Sequence, residues 1–121
     1  MSDDINLYAT LYVDSEHTGD ELVKLLSQIP GAHRDHGDVV SGAVALTVLD
    51  NDDHLPAPER PHAAFLFYRY RIEADPVENA SKQAVVEAVG CALETLWHAG
   101  AAAVASCEYE DALPRHGGII R

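Results

Sequence analysis

Apolar and polar residues alternate over residues 5–14, with Ile5, Leu7, Ala9, Leu11 and Val13 on one side and Asn6, Tyr8, Thr10, Tyr12 and Asp14 on the other. This period-two pattern predicts a half-buried strand. Thr18-Gly19-Asp20-Glu21 then reads as a capping box, in which hydroxyl and carboxylate each satisfy a backbone N–H at a helix start. Leu22, Leu25, Leu26 and Ile29 follow at helical spacing, and Pro30-Gly31 ends the helix.

Residues 39–50 predict a second strand, with Val40, Val44, Leu46 and Val48 toward the core and Gly42 at a bulge. Residues 51–62, rich in Asp and Pro, form an exposed connection. Residues 63–73 predict a third strand. Its Leu66, Tyr68, Tyr70 and Ile72 share one face, and Phe65, Phe67, Arg69 and Arg71 the other. Asp75-Pro76-Val77-Glu78 supplies a cap and a first-turn proline. Val85, Ala88, Val89, Ala92, Leu93, Leu96 and Trp97 then make the stripe of a long helix closed by Gly100. Residues 101–109 predict the last strand, and residues 110–121 an irregular tail.

Strand, helix, strand, strand, helix, strand is the ferredoxin-like βαββαβ order. It implies one α+β domain over residues 1–121, with a four-stranded antiparallel sheet and two helices on one face. The strands from residues 5–14 and 63–73 then lie side by side, so Tyr8 and Tyr12 neighbour Phe65, Phe67, Arg69 and Arg71 on the open face. Aromatic and Arg anchors suit a partner interface or a homodimer. The alternative is a face covered by the chain's own loop or tail. The aromatic placement also resembles the RNA recognition motif, but that family's glycine pattern is missing.

Composition narrows the partner. The formal net charge is −12 with a sequence pI near 4.7, which repels phosphate backbones and anionic membranes and steers basic proteins inward. Nucleic acid and membrane are therefore excluded as expectations, and a basic protein is the electrostatic complement. Asp52 and Asp53, in the exposed connection, join the candidate binding residues as acidic loop contacts. No run reaches the roughly 18 apolar residues of a membrane span, and Met1-Ser2-Asp3-Asp4 lacks the features of a secretory signal, so a cytoplasmic location is expected. Cys91 and Cys107 read as buried free thiols in that setting.

Catalytic and cofactor motifs are not found. His33 and His36, in His33-Arg34-Asp35-His36-Gly37-Asp38, are the candidate metal ligands, but no Cys pair completes a zinc motif. Asn51-Asp52-Asp53-His54 lacks the Gly and terminal Glu of an EF-hand and reads as a turn. Cys107 has no electropositive setting to activate it, and Gly117-Gly118 precedes no helix. No cofactor is implied.

Small size, acidity and the segment Tyr109-Glu110-Asp111-Ala112-Leu113-Pro114 after the last strand resemble small bacterial immunity proteins. The resemblance implies a non-catalytic protein that neutralises a basic toxin by covering its active site, and it transfers no site residue. The alternative is a small dimeric ligand-binding or enzymatic domain whose facing sheets hold an anionic small molecule near Tyr8, Tyr12, Phe67, Arg69 and Arg71.

Overall fold

The computed structural model describes residues 6–55 and 64–118. The expected strand start at Ile5, most of the 51–62 connection, Ala63 and residues 119–121 lie outside them. In chain order the elements are β1 (Ala9–Asp14), α1 (Gly19–Ser27), β2 (His33–Asp35), β3 (Asp38–Ser41), β4 (Val44–Asp50), β5 (Tyr70–Pro76), α2 (Lys82–His98) and β6 (Ala102–Ser106). The strands form a mixed α+β architecture's single sheet, antiparallel throughout, in the order β2-β3-β4-β5-β1-β6.

The sheet has six strands where four were expected. The addition comes from two tight turns. His36 and Gly37 both have positive φ (50° and 94°), the backbone of a type I′ hairpin turn, so the expected His33–Asp38 loop is instead β2 folding onto β3. Gly42 (φ 58°) makes the next turn, splitting the expected strand over residues 39–50 into β3 and β4. Crossing that turn shifts the alternation by one. Val39 and Ser41 point inward ahead of it and Val44 and Leu46 after it, whereas Val40 faces outward with its partner Ala45.

The capping box forms as expected. Thr18 Oγ1 accepts from the Glu21 N–H at 3.2 Å, and Glu21 Oε1 accepts from the Thr18 N–H at 2.8 Å. The Thr18 N–H holds the Glu21 carboxyl below its usual range. The second helix starts later than expected. Ser81 is its N-cap, accepting from the Ala84 N–H, while Asp75-Pro76 still belongs to β5 and Val77 donates to the Ala43 carbonyl at 2.8 Å.

One face of the sheet contributes Leu11, Val13, Leu46, Tyr70, Ile72 and Ala105 to a core that also contains Leu22 and Leu26 of α1 and Val85, Val89, Leu93 and Leu96 of α2. Both helices thus cover the same side. The described part of the segment after β6, residues 107–118, is short 3-10 turns with left-handed residues, and it packs against the domain. Leu113 is buried, Pro114 lies against Gly90 of α2, and the buried Tyr109 hydroxyl donates to the Leu7 carbonyl at 2.9 Å. Cys91 is exposed and Cys107 half-buried, both as free thiols, so the expectation of two buried cysteines fails.

Candidate functional site

The face opposite the helices is built by alternation. β1 pairs with β5 so that Tyr12 stands beside Arg71 and Thr10 beside Glu73. On its other side Tyr12 meets Val104 of β6, and Arg71 meets Leu49 of β4. The next row runs from Ser106 through Thr10, Glu73 and Thr47 toward β3, where Thr47 Oγ1 donates to Asp38 Oδ1 at 2.9 Å. Asp35 lies opposite Asp38, and Asp75 opposite Ala45.

Tyr8 joins this face just ahead of β1. Burial pushes its hydroxyl above the usual tyrosine range; a hydrogen bond with Thr10 opposes the shift, and the Glu73 carboxylate adds to it. The Arg71 guanidinium lies 3.6 Å from Glu73 Oε2, and its Nε is buried with no hydrogen-bond partner among the described residues. Such an N–H is costly to bury, by ~1–3 kcal/mol.

The expected aromatic platform is only partly present. Phe65 and Phe67 are not strand residues. They belong to a 3-10 turn, Ala64–Phe67, and β5 begins only at Tyr70. Phe65 meets Tyr12 edge to face, with ring centroids 5.7 Å apart, so the chain's own turn covers that end of the sheet. Val104 on the same end is only 6% exposed. Arg69 is exposed, but its guanidinium stands 4.9 Å over the ring of Tyr70, a side chain that points to the helix side, so it does not join Arg71.

Asn51, whose sequence context predicts only a plain turn, positions this cover. It is 5% exposed, and its Nδ2 donates to the carbonyls of Leu66 (3.0 Å) and Tyr68 (2.7 Å). Its Oδ1 accepts from the Asp53 N–H at 3.1 Å, and its own N–H donates to Arg69 at 3.0 Å. An Asn between Asp50 and two further Asp residues gives no hint of this, because its partners lie 15 and 17 residues away. Asp52 and Asp53 sit exposed on the turn that Asn51 closes, near the Phe65 end of the face.

The remaining candidates are scattered. His33 lies exposed on β2, opposite Val40, and His36 contacts Asp35 Oδ1 at 2.6 Å within the hairpin turn. Among the described residues no group of three or more His, Cys, Asp or Glu side chains is placed to hold a metal ion. Burial pushes the Cys107 thiol up, and the Glu110 and Glu108 charges add to it against a hydrogen bond from the Tyr109 backbone. That is the opposite of nucleophile activation.

The charged side chains of the open side are thus mostly acidic: Asp35 and Asp75 stand exposed and Asp14, Asp38 and Glu73 half-buried, Asp14 Oδ1 accepting from the Arg69 N–H at 3.3 Å, with Arg71 the cation among its described strand positions. In comparisons with known proteins, no family model, curated protein or solved structure matches the chain. No helix among the described residues is long and apolar enough to cross a membrane.

Proposed function

We propose that this chain is a non-catalytic cytoplasmic binding protein that takes a basic protein partner on the open face of its sheet, in the manner of an immunity protein covering a toxin's active site. The observation that carries the reading is the charge of that face, which Asp14, Asp35, Asp38, Glu73 and Asp75 share with Arg71, the one cation among its described strand positions. Complementary charge of this kind accelerates encounter and rejects acidic partners. The Tyr8 and Tyr12 rings and Arg71 are the anchors within it. The strand order β4-β5-β1-β6, with one helix after β1 and one after β5, supports reading the domain as a split βαβ plan. In this reading the β2–β3 arm is an extension that adds Asp35 and Asp38 to the face.

Co-expression with the product of the neighbouring gene tests it. The expected result is a toxic product whose effect this chain relieves, and a complex whose affinity falls steeply with salt. No relief of toxicity together with no salt-sensitive complex ends the reading.

The unpaired Nε of Arg71 favours a second reading, an anionic small molecule bound at Arg71. Facing two copies of the sheet around that ligand, however, brings like carboxylates together, which disfavours the dimeric form of this alternative at neutral pH. A thermal shift with small carboxylates and phosphates that disappears in Arg71→Leu is its signature.

A further inference from the structure

The sheet ends in two edges of opposite character. At one end β2 is three residues long and exposes His33, Arg34 and Asp35, a short charged edge that resists pairing. At the other end β6 reads Ala102-Ala103-Val104-Ala105-Ser106, with no charge, proline or bulge.

Within an antiparallel ladder, alternate residues turn both N–H and C=O to the same side. The Ala103 carbonyl accepts from Trp97 Nε1 at 3.0 Å, so Ala103, and with it Ala105, turns its backbone groups away from β1. The segment Pro114–Gly118 crosses that edge. A Cβ on Gly118 would overlap the Ala103 carbonyl oxygen, and one on Gly117 would stand 3.3 Å from that of Ala105. This covering segment carries backbone cost. Arg115 (φ 52°) and His116 (φ 53°) are both left-handed, which disfavours L residues by about 1–2 kcal/mol each. Arg115 is offset by its stacking 4.7 Å over the Trp97 ring.

We propose that Pro114–Gly118 is a releasable strap over the β6 edge, and that its release, together with that of the Trp97 indole on which Arg115 stacks, lets β6 pair with β6 of a second copy of this chain. The second copy is the occupant because the edge is self-complementary. A two-fold axis at Val104 sets Ala103 against Ala105 of the partner subunit, both with edge-facing hydrogen-bonding groups, and Ala102 against Ser106 of the partner subunit. In a chain of net charge −12, this edge offers self-association a strand free of like-charge contacts. The acidic open face lies on a different surface, so this inference stands or falls apart from the proposed function.

Gly118→Ala tests the strap in the full chain, because a side chain there strains a φ of 89° and strikes the Ala103 carbonyl. Sedimentation is expected to show the wild type as a monomer and the variant in a concentration-dependent equilibrium with a species of about twice the mass. Amide exchange at Ala103 and Ala105 is expected to slow as that species forms. Adding Ala103→Pro, tolerated on an edge strand because that N–H faces away from β1, is expected to restore the monomer. Should Gly118→Ala fail to fold by circular dichroism, Gly117→Ala, with its milder contact, takes its place. A folded strap variant that stays monomeric, or one whose association the proline leaves intact, overturns the proposal.

Discussion

Replacing Asn51 by alanine removes the side-chain hydrogen bonds to Leu66, Tyr68 and the Asp53 N–H together. At ~0.5–1.5 kcal/mol for each bond, a loss of about 2–3 kcal/mol in urea-melt stability is expected, with m nearly unchanged. Tyr109 makes a different residue-scale prediction. Burial raises its hydroxyl far above the ordinary range, the neighbouring Cys107 adding to the shift. The folded state therefore keeps the proton that the unfolded chain releases near pH ~10. Stability from this source is complete below that pH and is lost as pH rises through and beyond it. Tyr109→Phe, which also gives up the bond to Leu7, is expected to cost about 1 kcal/mol at neutral pH and to flatten the alkaline decline in a pH series of melts. An equally steep alkaline decline in the variant would assign the effect elsewhere.

At the scale of elements, the strongest sequence signals were local ones. The Thr18 and Glu21 pair needs only its own turn, and the stripe from Val85 to Leu96 needs only a helix with one wet side. β1 was legible for the same reason, and its pairing with β5 puts Tyr12 beside Arg71 as the alternation required. What failed depended on contacts distant in sequence or on unusual turn residues. Phe65 and Phe67 have high strand propensity, yet the Asn51 side chain captures that stretch as a 3-10 turn. His36 occupies a left-handed turn position where Asn is the habitual residue, so the β2–β3 hairpin read as a loop. That mismatch gives a prediction: His36→Asn relieves the turn and is expected to raise stability by several tenths of a kcal/mol, since the exposed Asp35 contact it gives up is worth little. A lower melting temperature in the variant would show that the histidine contributes more than its backbone costs.

At the scale of the whole molecule, position of charge matters more than its sum. Asp38→Asn, Glu73→Gln and Asp75→Asn together empty the centre of the open face, whereas Glu78→Gln, Glu87→Gln and Glu94→Gln remove the same formal charge from the exposed helical side and the loop leading to α2. Association of a lysine-rich peptide, followed by surface plasmon resonance at low salt, is expected to slow by about tenfold in the first triple variant and much less in the second. Equal effects would mean that overall charge alone attracts cations. The face's acidity was latent in the composition, but its location was not. It depended on the two hairpin turns, which carry Asp35 and Asp38 into line with Glu73.

Because Asn51 ties residues 51–55 to residues 66–69, the chain leaves and re-enters β4–β5 through a closed neck. Chain length beyond such a neck adds little to the entropy of closure, about 0.6 kcal/mol per doubling. A foreign peptide inserted directly after residue 55, where the neck's hydrogen bonds end, is therefore expected to leave the thermal midpoint almost where it was. The same graft in an Asn51→Ala background, its clasp undone, is expected to melt at a distinctly lower temperature than either change alone.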